Sequence, residues 1–301
     1  MLERKNLVQP ESTEVLTSVP YVVSGDIKIL LENWADQRGF VLPEASFFVD
    51  LRANFSSYMQ QMFGGFELVS EIELVNGMAK QVESTGLPAI SLDRVYFRSE
   101  SFLDITRQVE NTGKDKGLGR RMGSPTLLQQ FRALREQNIS KVTLVDDVIF
   151  AGEQVTRISK MLERIGISVP VVCAGIGIGE GIEQLNNLGQ EVRCVRQYKD
   201  VIDEICERDF YPGVPMCGRS IQGDNNIGVP YILPLGNPGK WASIPDQWQA
   251  PFSGFCIQQT VKLFEAIEIA SGKEVQCRDL ERKVFSLPND GTRFVDALVN
   301  L

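Results

Sequence analysis

The sequence contains no histidine. That absence removes the commonest general base, the Ser-His and Cys-His nucleophilic arrangements and most zinc sites. Cysteines occur only at 173, 194, 206, 217, 256 and 277, without a CxxC pair, which excludes a zinc ribbon or a thioredoxin-type exchange. Cys173, set in VPVVCAG, reads as a reduced thiol acting as a small buried hydrophobe, and the other five read the same way. No uninterrupted apolar run approaches the roughly 20 residues that cross a bilayer. The opening MLERKNLVQPESTEV is broken early by Glu and Pro and lacks the apolar segment of a secretory signal, so a cytoplasmic protein without a membrane partner is expected. Positive charge is also in deficit, with 31 Lys and Arg against 39 Asp and Glu. A net charge of -8 repels phosphate backbones, and nucleic acid is not expected as the main partner.

What is present is the balance of an ordinary globular protein, 43% apolar and 23% charged over 301 residues. That length suits two domains, or one large α/β domain with additions. Residues 1 to about 25 read as an irregular lead-in. Ile27, Leu30, Leu31 and Trp34 share one face of a helix closed by Gly39. SFFVDLR (46–52) reads as a strand and NFSSYMQQMFGG (54–65) as a short helix. From Phe66 strands and helices alternate: FELVSEIELVNG gives a strand with a loop, GMAKQVESTG a helix and LPAISLDRVYF a strand. The glycine- and charge-rich RQVENTGKDKGLGRRMGSPT (107–126) reads as a lid or insertion. LLQQFRALREQ reads as the next helix, and SVPVVCAGIGIG, EGIEQLNNLG and QEVRCVRQY as strand, helix and strand. Such alternation predicts right-handed crossovers and a doubly wound, mostly parallel sheet. It stops in the Pro- and Gly-rich stretch from about 205 to 255, beyond which FCIQQTVKLFEAIEIASG reads as a late helix capped by Gly272.

The chemistry concentrates in KVTLVDDVIFAGEQVTRISKMLERIG (141–166), a run of β-formers that ends in two adjacent aspartates and turns into an amphipathic helix. In an open parallel sheet, ligands sit outside the carboxyl ends of the strands. A helix N-terminus there offers free N–H groups to a phosphate, and Gly152 lets the backbone approach it closely. Asp146 and Asp147 can accept from vicinal hydroxyls or hold Mg2+ through water. Phosphate, diol and magnesium together describe a phosphorylated ribose. Two other readings stay open: one aspartate as a helix N-cap with its neighbour solvated, or a phosphoacceptor domain, although such domains place their acids after the first strand. AGIGIGEG fits no GxGxxG register, and its glycines read as a tight strand exit.

VTLVDDVIFAGEQV resembles the phosphoribosyl-pyrophosphate (PRPP) signature of type I phosphoribosyltransferases, and the order of elements extends the resemblance over about 66–200. The resemblance implies an α/β phosphoribosyltransferase-like core over 66–204. It is flanked by an N-terminal arm and helical or hood element over 1–65 and a C-terminal hood and helical extension over 205–301. It implies that Asp146 and Asp147 face the ribose hydroxyls and bind Mg2+, and that Phe150, Ala151, Gly152, Glu153 and Gln154 wrap the 5′-phosphate. Gln154 stands where the family has Thr or Ser. SEIELVNG corresponds in position to the loop that contacts pyrophosphate, with Glu71 and Glu73 in it. Lys114, Lys116, Arg120 and Arg121 correspond to a mobile loop that closes over pyrophosphate. The implied activity is transfer of 5-phosphoribosyl from PRPP to a small nitrogenous acceptor, and a homodimer is implied by the resemblance alone. The alternative is a module that senses a phosphorylated ribose without turnover.

Overall fold

A computed structural model describes residues 19–110, 114–223 and 226–301. Most of the lead-in and the centre of the glycine-rich segment (111–113) lie outside the described residues. The chain opens with strand β1 (Tyr21–Ser24) and helices α1 (Ile27–Arg38) and α2 (Ala45–Met62). Next come β2 (Phe66–Val69), α3 (Glu71–Glu83), β3 (Ala89–Ser91), β4 (Ser101–Phe102) and the hairpin β5 (Ile105–Val109) and β6 (Asp115–Arg120). The alternation continues through α4 (Leu127–Glu136), β7 (Lys141–Ile149), α5 (Glu153–Glu163), β8 (Ser168–Ile178), α6 (Gly179–Asn187) and β9 (Glu191–Tyr198). The last third holds β10 (Asp203–Cys206), β11 (Arg219–Ile221), β12 (Ile227–Val229), α7 (Pro238–Ala242), α8 (Asp246–Ser271), β13 (Lys283–Val284) and α9 (Phe294–Val299).

The central sheet runs β4-β3-β7-β8-β9, with every pairing parallel. Parallel strands covered on both faces read as continuous apolar runs, and the buried stretch of β8 from Val171 to Ile178 is one. Its two faces belong to two cores. Leu74 and Met78 of α3 meet Val145, Cys173 and Ile176 on one side. On the other, Phe131 and Leu134 of α4 and Val155, Ile158 and Leu162 of α5 pack with Leu144, Val172 and Ala174. A second sheet, β10-β1-β2, is also parallel and joins a strand of the segment 1–65 to the first strand of 66–204 and to β10, which straddles the boundary expected at 204/205. A third, mixed sheet, β13-β12-β11-β5-β6, joins the hairpin to the C-terminal region. All six cysteines are free and buried. Among the described residues no helix is long and apolar enough to cross a membrane.

Several local expectations are corrected. SFFVDLR is not a strand: Phe48, Leu51, Phe55 and Met59 bury one face of the single 18-residue helix α2, whose period outweighs the local β-formers. Residues 71–77 are not a loop, because Ser70 accepts from the Glu73 backbone N–H at 3.3 Å and starts α3 at Glu71. The strand expected over LPAISLDRVYF is confined to Ala89–Ser91, and short strands continue past 205, where alternation was expected to end.

Candidate active site

Residues in and after β7 and β10, and those that follow β3, converge on one cavity of about 670 Å3. Asp146, Asp147, Phe150, Ala151, Gly152, Glu153 and Gln154 all line it. Both aspartates lie within β7 rather than after it, so pleating sends them different ways: Asp146 is 4% exposed, whereas the Asp147 side chain keeps 26%. Asp146 accepts from the Asp147 backbone N–H at 3.1 Å and from the Gln154 side-chain amide at 3.2 Å. Burial, then the nearby charges of Asp147 and Asp93, hold its carboxyl well above the usual range. Gln154 thus turns inward to an aspartate.

That loop is shaped by two glycines. Gly152 has φ 76°, a left-handed conformation in which other L-residues are strained, and it opens α5 with no side-chain cap on the first-turn N–H groups. Gly181, at the start of α6, lies directly beneath: a Cβ there would run into the Phe150 carbonyl and come within 3.0 Å of the Gly152 nitrogen. The glycine row of AGIGIGEG therefore serves close backbone approach. Gly175 packs on the Asp147 carbonyl, Gly177 on Cys194 and Gly181 on the loop from Phe150 to Gly152.

Of the arginines that line the same cavity, Arg94, Arg121 and Arg208 lie close enough to feel one another's charge. Arg94 pairs with Asp104 at 3.0 Å. Arg121 is pressed by burial, and then by the charges of Arg208 and Arg94, down to about 10. Its Nε and that of Arg208 are buried without a hydrogen-bond partner. Arg208 donates its backbone N–H to Asp26 at 2.9 Å and pairs its Nη1 with the same carboxylate, and its Nη2 lies 3.8 Å from Asp147 Oδ2. Three guanidinium groups held close together, two of them already paired with carboxylates, give this part of the cavity a positive potential that favours an anion.

Of the four cations named in the glycine-rich segment, Arg121 lines this cavity and Lys114, Lys116 and Arg120 do not. Lys116 pairs with Glu110 across the hairpin, Arg120 donates to the Ser124 carbonyl at 2.7 Å, and Lys114 is exposed. Glu71 and Glu73 lie away from the cavity and pair with Arg52 and Arg196. Several cavity residues escape the sequence reading, among them Arg94, Asp93, Glu204 and Arg208. Asp93 accepts from the backbone N–H groups of Val95, Tyr96 and Phe97 at 2.7–2.8 Å, and burial, then the charge of Asp147, raises it to about 6 against those amides. Glu204, buried beside Ser24, is raised by burial to about 8. Arg208 carried no signal, because a buried arginine in a Pro- and Gly-rich stretch looks like any surface arginine. On the far wall, the Arg219 guanidinium sits 4.9 Å from the ring centre of Trp241 and 5.6 Å from that of Tyr231.

No protein-family model matches the chain, and no curated protein matches it either. Part of it is similar to solved phosphoribosyltransferases. The orotate phosphoribosyltransferase of Aeropyrum pernix is 17% identical over 41% of this chain and 68% of its own, with a TM-score of 0.25. The adenine phosphoribosyltransferase of Thermoanaerobacter pseudethanolicus is 13% identical over 42% and 78%, with a TM-score of 0.28. A phosphoribosyltransferase of Corynebacterium diphtheriae is 12% identical over 43% and 80%, with a TM-score of 0.26. Each of these matches covers less than half of this chain.

Proposed function

We propose that the cavity binds PRPP and transfers its 5-phosphoribosyl group to a nitrogenous acceptor with loss of pyrophosphate. The observation that carries this reading is the pairing, in one cavity, of Asp147 beside the uncapped start of α5 with a cluster of three arginines. The loop from Phe150 to Gln154 receives the 5′-phosphate on its backbone N–H groups. Asp147 accepts from the ribose hydroxyls and faces the positive charge that develops on the ring as the bond to pyrophosphate lengthens. Asp146, tied to Gln154, holds that loop in register with the sugar. Arg94, Arg121 and Arg208 take the departing pyrophosphate, whose charge increases as it leaves. A nucleophilic nitrogen belongs to the acceptor, so the scheme needs no histidine.

Magnesium fits this site only in company. Among the described residues no group of three or more metal-ligating side chains is present, yet an ion carried by a diphosphate needs just one or two protein carboxylates, and the half-open Asp147 would offer one. When bound there it neutralises charge on the leaving group. The nearness of Arg208 to Asp147 at 3.8 Å favours a second reading, a module that binds the sugar phosphate without turnover. Calorimetry with PRPP and Mg2+, followed by pyrophosphate-release assays across a set of nitrogenous bases, separates the two. Binding with release supports transfer, binding without release in every mixture supports the module, and no binding removes both.

A further inference from the structure

Arg208 reaches the cavity from the single 3-10 turn Glu207–Phe210 that follows β10, a short element with little stiffness of its own. What fixes it is a buried chain of ionic contacts that extends well behind the cavity. Asp26, after β1, takes the Arg208 backbone N–H and guanidinium on its carboxylate, and its own backbone N–H donates to Glu207 Oε2 at 3.2 Å. Glu207 is fully buried and is gripped by Arg52 of α2, whose Nε lies 3.2 and 3.1 Å from the two carboxylate oxygens and whose Nη2 lies 2.9 Å from Oε2. Arg52 also pairs with Glu71 at the start of α3. A carboxylate with no exposed surface is retained as an ion only when its partner is present. Arg52 itself does not line the cavity.

We propose that Arg52 is a positioning residue: through Glu207 it sets the 3-10 turn and thereby aims the Arg208 guanidinium at Asp147 and at the anion bound between them. The anion-binding half of this statement rests on the function proposed above, and the positioning half does not. Without Arg52 the charge on Glu207 has no counterpart, and the turn that carries Arg208 must rearrange to expose or neutralise it.

The test uses the whole chain with labelled arginine side chains. In the wild-type protein the Arg208 Nε–Hε signal is expected to be shifted from solvent-exposed arginines and slow to exchange, as its buried position requires. Arg52→Met is expected to move that signal and speed its exchange, with Arg52→Lys intermediate because lysine keeps the charge without the fork. Arg293→Met, which breaks an equally close pair with Glu268 on α8, is expected to leave it unchanged. Should Arg52→Met fail to fold, Glu71→Gln, which removes only the outer partner of Arg52, is expected to shift the same signal by less. An Arg208 signal that Arg52→Lys and Glu71→Gln both leave where it was overturns the positioning role. Titration with inorganic pyrophosphate separates the two halves. Wild type binding about ten-fold more tightly than Arg52→Lys supports both. A moved signal with no pyrophosphate binding by wild type keeps the positioning role and rejects the anion site. Equal binding with an unmoved signal rejects the role of Arg52 alone.

Discussion

Individual side chains carry the sharpest expectations. Asp147 is the half-open carboxylate of the pair, and Asp147→Asn keeps its shape while removing its charge. The variant is expected to bind PRPP about ten-fold or more weakly in calorimetry, a loss of at least ~1.4 kcal/mol, with the unfolding midpoint close to that of wild type. Glu204 gives a pH signature. Burial holds its pKa at about 8 in the folded chain against an ordinary value of 4.5, so between those values the folded state carries the extra proton. Its contribution is complete below about pH 4.5 and is lost as pH rises toward 8, so stability falls across that window. Asp93, raised to about 6, adds in the same direction. Glu204→Gln is expected to flatten the slope, seen as denaturant midpoints that change less than those of wild type between acid and mildly alkaline buffer. At this scale the sequence showed the aspartate pair and the loop through Gln154, since charge next to an apolar run and glycine is a local signal. Arg208, Asp93 and Glu204 were not legible, because what distinguishes them is burial, and burial of a polar side chain depends on distant strands.

Among the elements, the turn from β7 into α5 is held at its height by the first turn of α6. Gly181→Ala places a methyl group against the Phe150 carbonyl and the Gly152 nitrogen, and either the loop or α6 must shift. We expect a cost of about 1–3 kcal/mol in denaturant unfolding, as for other overpacked sites. Ribose 5-phosphate binding should weaken with it, and a variant that keeps wild-type affinity would show that the loop does not need this seat. Elements were legible where one period ran long enough. The apolar face of α1 and the buried stretch of β8 are examples. In α2 the cluster Phe47, Phe48 and Val49 imitates a strand, and the helix emerges only when Phe55 and Met59 enter the window. The hairpin β5–β6 was hidden for a different reason: its glycines and charges resemble a lid, and its pairing to β11 joins residues more than 100 positions apart, Gln108 to Ser220.

Over the whole molecule, β1, β2 and β10 weave three stretches of sequence into one sheet, and β10 of that sheet lines the same cavity as the central sheet. Phe55 is buried beside this sheet, with Phe66, Phe210, Tyr211 and Phe252 at centroid distances of 5.8–6.4 Å. Phe55→Ala is expected to cost about 3–5 kcal/mol of unfolding free energy. Because Phe210 closes the turn that bears Arg208, it should also weaken pyrophosphate binding under conditions where the variant remains folded. The central claim, that a carboxylate and an arginine cluster share one cavity in order to hold a sugar carrying a phosphate and a diphosphate, is tested most directly by calorimetry. Wild-type protein and Asp147→Asn are titrated with PRPP in the presence of Mg2+. The account predicts saturable binding by the wild type and a clear loss in the variant, whereas no binding by the wild type, or the same affinity in both, would contradict it.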